Sequence, residues 1–395
     1  MPRTTITQQS VITPELAAAG DYIQTLDTTQ LATVDLAPGE PVAPESVSLQ
    51  GMSLNGAIAA EIETFRPQGF KYPTISALGR EWSEWSLEGV PTYNELAYPL
   101  MGIIALPVVA DVGVVGSAYG WTFTPATNTA DEIVTYTFEQ GSTSNRIHRA
   151  QYGTFTDLSF SIDRSSFSVS GSAIAQSMID GEAGDGTGAA VTSFIDTSGT
   201  IDTRSLVPIL PSQTCVYQNN NTPGSVEDDL LTRVLSVEIN VSNRFAPLWV
   251  LDCSQSSWVI PIEVEPEVTM SITMEADNKD TEDLSAATGG EIEGGDIGMA
   301  FLHAMRANGN LTDTDHADYS RPNFFRVEAT GDVLEAGFPY LFRFDMAGRV
   351  TDVSEFTDED GLFAITWTFA ATHDATYGKA YEFYLQNNFN QLASS

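Results

Sequence analysis

One pattern constrains this chain more than any other: an alternating hairpin that occurs twice. Phe155 to Ile174 reads FTDLSFSIDRSSFSVSGSAI, and Val350 to Phe369 reads VTDVSEFTDEDGLFAITWTF. Thr156-Asp157-Leu158-Ser159 lies against Thr351-Asp352-Val353-Ser354, and Gly153 against Gly348, with one-residue slips beyond. In both copies apolar and polar residues alternate, which is the period of a strand with one face buried. Phe167 and Val169 fall on one face of the first copy; Phe363, Ile365, Trp367 and Phe369 fall on one face of the second. Asp360-Gly361, between the second copy's runs, suits a hairpin turn that needs a left-handed residue. A chain that repeats a hairpin across almost half its length reads as two copies of one β-rich unit.

The order of predicted elements repeats as well. Residues 1–50, rich in Thr, Pro and Ala, read as an extended arm or a loosely packed entry segment. Residues 51–177 form the first unit. AEIETFRPQGF and EWSEWSLEGV alternate as half-buried strands do, and Leu96, Leu100 and Ile103 predict a short helix with Pro99 in its first turns. EIVTYTFEQ, RIHRAQYGTFTDLSFSID and SSFSVSGSAIA follow as strands. Residues 178–206 lose the hydrophobic period and have the Gly, Ser, Thr and Asp composition of a linker. Residues 207–395 form the second unit. There EVTMSITMEAD sets Val268, Met270, Ile272 and Met274 on one strand face, and GMAFLHAMRANG predicts a short helix on Phe301, Leu302 and Met305, stopping at Gly309. The expected fold is therefore mainly β: two tandem sandwich or barrel units, each with a short flanking α-helix.

Charge narrows the partners. Seventeen basic residues face 53 acidic ones, for a net charge of −36, and three of the basic residues are lysines: Lys71, Lys279 and Lys379. Such a surface repels nucleic acid and anionic lipid, because holding a polyphosphate takes clustered Lys and Arg. The 395 residues suffice for two to three domains with large cores. Cys215 and Cys253 are too few for a disulfide framework and read as two buried free thiols, with a single Cys215–Cys253 pair as the alternative. The N-terminal residues lack the apolar run of a signal peptide, and the longest apolar run, LMGIIALPVVADVGVVGSA, is broken by Pro107 and Asp111.

A search for chemistry returns no catalytic, cofactor-binding or metal residue. HExxH, CxxC and GxSxG are absent. Gly378-Lys379 lacks the first glycine of a P-loop, and Ala380 stands where the magnesium-binding hydroxyl would be. His148, His303, His316 and His373 lie far apart; His373-Asp374 reads as a satisfied loop pair rather than part of a triad. Glu81/Glu84 and Glu263/Glu265 are pairs that any chain this acidic contains. Asp277, Asp280 and Asp283, and Asp313, Asp315 and Asp318, lack the glycine and terminal glutamate of an EF-hand, so they read as solvated acidic loops, with an irregular calcium site as the alternative. Trp82 and Trp85, three apart in a strand, face opposite sides. With Trp249, Trp258 and Trp367 they read as core or interface residues rather than a sugar-stacking platform.

The runs FTDLSFSIDRSSFSVSGSAIAQSM, RVLSVEINVSNRFAPLWVLD with VEPEVTMSITMEAD, and the C-terminal stretch from FRVEATGDVLEAGF to KAYEFYLQN resemble the major tail tube proteins of long-tailed, siphovirus-type phages. The resemblance spans roughly residues 60–390 and lies in whole strands. It implies a structural virion protein without enzyme activity or cofactor. Its copies would join edge to edge around a lumen and stack as rings into the tube that delivers the genome. The family's ring has six units, so a fused pair implies three chains per ring with pseudo-sixfold symmetry; a hexamer with the second domain outside is the alternative. The implied partners are further copies of the chain, a tape-measure protein in the lumen, and tail-tip and tail-terminator proteins. DNA would pass without specific binding, no membrane is involved, and the expected location is the virion tail, assembled in the host cytoplasm. The acidic insert around 278–297 and residues 1–50 match no part of that pattern; both are candidates for inter-ring contacts or for exposed loops, and trimming the insert is expected to weaken ring stacking more than folding. The competing readings are a non-catalytic β-sandwich binding module or adhesin, and a secreted acidic hydrolase.

Overall fold

The computed structural model describes residues 9–15, 46–113, 116–131, 134–142, 146–176, 178, 194, 201–219, 230–231, 233–251, 260–275, 323–355, 357–359, 362–374 and 377–390. The fold is mainly β. The strands are β1 (Gln9–Glu15), β2 (Val47–Leu49), β3 (Met52–Phe65), β4 (Ile75–Gly89), β5 (Val108–Asp111), β6 (Tyr119–Phe123), β7 (Thr135–Ser142), β8 (Arg146–Asp163), β9 (Phe167–Ala175) and β10 (Asp202–Thr203). They continue with β11 (Thr214–Asn219), β12 (Val234–Ser242), β13 (Phe245–Leu248), β14 (Ile260–Glu263), β15 (Glu267–Glu275), β16 (Asn323–Glu335), β17 (Phe338–Val353), β18 (Thr357–Glu359), β19 (Leu362–Ala371) and β20 (Tyr381–Asn387). Helix α1 (Ala97–Ile103) lies between β4 and β5.

An unbroken antiparallel run crosses both halves of the chain in the order β3-β4-β9-β8-β12-β15-β19-β17. Two long strands leave this run for a second layer. The first part of β8 pairs β7, and its later part pairs β9 and β12. Likewise the first part of β17 pairs β16 and β20, and its later part pairs β19. Bulges make such bends, because an extra residue on one strand sharpens its twist. In β8 the bend carries Tyr152 at φ 56 and then Gly153, whose missing side chain leaves room for the Phe138 ring.

The repeated hairpin is present in atomic detail. The register of β8 on β9 skips one residue between Phe155 and Asp157, and that of β17 on β19 skips one between Val350 and Asp352. The extra residues are Thr156 and Thr351. The Thr156 hydroxyl donates to the Ser172 carbonyl and the Thr351 hydroxyl to the Thr368 carbonyl, both at 3.2 Å. Matching continues outward. Trp85 stands opposite Ala173 as Met270 stands opposite Phe369, and Leu54 stands opposite Leu87 as Val237 stands opposite Ile272.

Alternation along these strands sends one set of side chains into a single core cluster. Phe160 lies 5.7 Å from both Phe342 and Phe383, and Phe167 lies 5.6 Å from Phe342. The two halves of the chain therefore share one interior rather than packing separately. Each such phenylalanine contributes roughly 1.5–3 kcal/mol by burial. Helix α1 is too short to stand by its own hydrogen bonds, and all seven of its residues are buried. A side chain at Gly102 would meet the Phe155 and Tyr136 rings, so glycine lets the helix lie against β7 and β8.

Several expectations are corrected. Phe363 does not join Ile365, Trp367 and Phe369 in the core but is 72% exposed. β15 ends opposite Ala364, so Phe363 extends past the covered part of the sheet. The stretch from Ala60 to Phe70 is not half-buried; all of these residues are exposed and belong to a hairpin arm with both faces in solvent. Cys215 is exposed rather than buried, because β11 pairs β16 alone among the described strands and turns that side chain outward. The N-terminal residues read as an arm include β1, which pairs β7 and β2 and buries Val11 and Ile12. Within 178–206, Phe194 packs with Val11 and Ile147, and β10 runs parallel to β2. The predicted helix at 298–309, the insert at 278–297, both aspartate groups (277–283 and 313–318), His303, His316, Cys253 and Trp258 lie outside the described residues.

Candidate assembly surfaces

The side of the eight-stranded run that faces away from the core is paved with small hydroxyls and acids. Following the register, one row reads Ser53, Glu88, Ser170, Ser159, Asn240, Thr269, Ala370, Arg349. The next reads Ser168, Ser161, Glu238, Ser271, Thr368, Asp352, and a third reads Asp163, Ser236, Thr273, Thr366, with Ser354 following. Arg349, at the end of the first row, is the basic residue of the three. Neighbouring hydroxyls bond across strands: Ser271 with Thr368 at 3.0 Å, Thr273 with Thr366 at 2.8 Å, and Ser159 with Asn240. Such pairs stiffen a sheet by tenths of a kcal/mol up to about 1 kcal/mol each. Their donors and acceptors also satisfy one another, which leaves a smooth polar surface.

Asp163 sits where this face turns between β8 and β9. The Ser165 and Ser166 N–H groups and hydroxyls all donate to its carboxylate. Those bonds, led by the Ser165 hydroxyl, lower its pKa to about 2. The Asp163 carboxylate therefore remains ionised at any physiological pH, beside Arg164 of the same turn.

Beyond the sheet, β3 and β4 continue as an exposed arm. Ile58, Ile62, Phe65, Tyr72, Ile75 and Leu78 are each at least half exposed. The tip turns at Pro67, whose carbonyl accepts the Phe70 N–H, with Gly69 at φ 89. At its base, Trp82 meets Trp249 edge-on at 5.7 Å, and the Arg80 guanidinium lies 4.9 Å from the Trp249 ring. Among the described residues no layer packs beneath these apolar side chains, which makes the arm a candidate contact surface.

Three polar clusters hold the frame beneath. The Glu95 carboxylate accepts the Gln50 N–H at 2.6 Å and the Gly51 N–H at 3.0 Å, which fixes the chain's approach to β3. Burial raises its pKa, and these bonds oppose the rise. Arg244 is 2% exposed; it donates to the carbonyls of Ile103 and Ile104 at the end of α1, to Glu263 and to Asp131. Asp345 is held by Arg326 at 2.7 and 3.0 Å, with Arg343 and Lys379 farther out. Neither Arg244 nor the arm was singled out by sequence reasoning. The signal for the arm was present, since Ile62 and Phe65 are an odd number of residues apart and cannot share one buried face.

Among the described residues, those weighed for chemistry stay apart. His373 is exposed, while the adjacent Asp374 is buried and accepts the Tyr377 N–H at 3.0 Å. The Lys379 ammonium is bonded to Glu382 at 2.8 Å. Glu84 accepts the Trp82 indole N–H, and Glu263 is bonded to Arg244 whereas Glu265 is exposed. Trp85 and Trp367 are core residues. Among the described residues no group of three His, Cys, Asp or Glu side chains could hold a metal ion, and no helix is long and apolar enough to cross a membrane. No protein-family model matches the chain, and no curated protein matches it either.

Proposed function

We propose that this chain is a structural subunit that joins further copies of itself through sheet edges and stacks as rings into a hollow tube, as the tail tube proteins it resembles do. One observation carries the reading: a single sheet contains two matching four-strand halves, and its solvent face bears hydroxyls and carboxylates. Each chain then supplies two of six staves, and three chains close the ring. Three chains at −36 each carry −108. A bore lined by the Ser, Thr, Asn and Glu rows repels phosphates, so a DNA duplex slides without adhering. The exposed β3–β4 arm supplies apolar contact to a neighbouring ring, a role in which the insert at 278–297 also stands. In this setting the location is a virion tail, and the tape-measure, tail-tip and terminator proteins are the other partners.

Electron microscopy of the purified protein at low and high salt tests this. At 1 M salt the Debye length is about 3 Å, so screening relieves repulsion between acidic copies. Rings or tubes that become more numerous with salt are the expected result. A protein that stays monomeric in all salts and with phage tail tips present would overturn the reading and favour the binding module.

A further inference from the structure

β8 and β12 join the two halves of the sheet, and this junction specifies a second one. It sets Ser159 opposite Asn240, with Phe160 opposite Ile239 and Leu158 opposite Val241. By the matching registers, β3 stands in the first half where β12 stands in the second, with Gly56 in the place of Ile239 and Ala57 in that of Asn240. The end of β17 stands where the end of β8 does, with Val353 for Leu158 and Ser354 for Ser159. Yet β3 pairs β4 alone among the described strands, and β17 beyond Val350 pairs β19 alone. The chain therefore ends in two edges that are the counterparts of edges it has already joined.

Side chains occupy the β3 edge in place of a strand. The Ser10 hydroxyl accepts the Leu54 N–H at 3.2 Å and donates to the Leu54 carbonyl at 3.0 Å. The Gln140 amide accepts the Gly56 N–H at 2.9 Å and donates to the Gly56 carbonyl at 2.8 Å. That reciprocal pair is what a strand residue would make. The second half shows the contrast. Glu139 faces Arg149 across β7 and β8, and Arg326 faces Asp345 across β16 and β17, both as ion pairs. One residue on, Gln140 corresponds to Val327, which has no amide, and there β8 already covers β12. Unpaired edges are hazards that proteins cover, and here the cover is a removable side chain.

We propose that a second copy of this chain adds the Val353–Glu355 end of its β17 to the β3 edge, with its Ser354 opposite Ala57, and that Ser10 and Gln140 cap the edge until that strand arrives. This rests on the assembly reading above and specifies which edges meet and in which register.

The test is cysteine cross-linking of the full chain with Cys215 and Cys253 replaced by serine. Under oxidation, the variant with Ala57→Cys and Ser354→Cys is expected to give chain-to-chain disulfides. The control with Ser159→Cys and Asn240→Cys is expected to close within one chain. Moving one cysteine by two residues, Ala57→Cys with Asp352→Cys, puts the partners about 7–8 Å apart, beyond the reach of a disulfide. That pair is expected to link on the order of tenfold more slowly. If the first variant misfolds, Ile58→Cys with Val353→Cys tests the same register one residue along, at an exposed position and a half-buried one. Gln140→Val, which copies Val327, is expected to lower the protein concentration needed for linking about fivefold, the effect of removing one or two net hydrogen bonds. No change would overturn the capping role. Rings or tubes in the microscope without in-register linking would overturn the edge assignment and leave the tube reading standing. Linked pairs that never form rings would support the edge and sink the tube. Neither links nor particles would end both.

Discussion

β3 and β4 run on past the sheet as an exposed arm, whereas β12 and β15, which hold the matching places in the second half, end with it. Their connection instead passes through β13 and β14 and is anchored by Arg244 against the end of α1. Both halves thus share the parts that build the sheet: the threonine bulges, the buried alternation and an ion pair between neighbouring strands. They differ in what they do with the chain between the first two strands. One half anchors the start of that connection to a buried cation; the other runs outward with apolar side chains. The repeated parts make a sheet, and the unrepeated parts decide which surface is frame and which is contact.

The largest test of this contrast compares two arginines. Arg244→Ala removes a buried partner from Glu263, Asp131 and two carbonyls, and is expected to cost about 3–5 kcal/mol by chemical denaturation. Arg80→Ala, in an arm ion pair with Glu61 in which both side chains are about half exposed, is expected to cost less than about 1 kcal/mol. Equal losses would show that the arm is part of the frame.

The bulges come next. Thr351→Val removes one hydroxyl-to-carbonyl bond, for about 0.5–1.5 kcal/mol; Thr156→Val removes the matching bond and also that hydroxyl's contact with the Asp157 carboxylate at 2.9 Å, so its loss should be at least as large. A loss at one site alone would break the equivalence of the hairpins.

A pH titration separates the polar clusters. Because burial raises the pKa of Glu95 above its ordinary 4.5, its contribution is fully present below that value and is lost as pH rises through the raised one. Wild-type stability should carry this decline, and Glu95→Gln should flatten it, with its one carbonyl oxygen left to accept from either Gln50 or Gly51 and its NH2 facing the other. Asp163 runs the other way. Its pKa is lowered from 3.8 to about 2, so its stabilisation is present above 3.8 and lost as pH falls toward 2. Solvent screening keeps that effect below about 1 kcal/mol, and Asp163→Ala should remove it.

The smallest effect on stability belongs to the arm. Ile62→Ser with Ile75→Ser should move the unfolding midpoint by no more than about 0.5 kcal/mol per site, while reducing the length of any tubes seen by electron microscopy. A large stability loss would mean that the arm folds back on its own chain.

The strands were legible because burial on one face leaves a period of two in the letters. Arg146–Asp163 and Val268 to Met274 could be read directly, and α1 was marked by Leu96, Leu100 and Ile103. The repeat was legible through four letters, Thr-Asp-apolar-Ser, whose first residue proves to be the bulge. What the letters hid was where cover ends. Phe363 continues the alternation of Trp367 and Phe369, but its exposure depends on the length of β15, nearly 90 residues away in sequence. Cys215 is an edge-strand case of the same kind. Arg244 looks like any surface arginine until α1 and Glu263 come together around it. The polar rows were legible strand by strand, but they become one surface through pairings between distant segments.

The central claim is that one chain supplies two equivalent staves and that copies close on the β3 and β17 edges. Electron cryomicroscopy of the assembled particle tests it most directly, by counting chains around the bore. The account predicts a hollow ring of three chains with pseudo-sixfold symmetry, its inner wall formed by the rows from Ser53 to Arg349. A ring of six chains with one half of each lining the bore, or a bore lined by the core-distant arm, would contradict it.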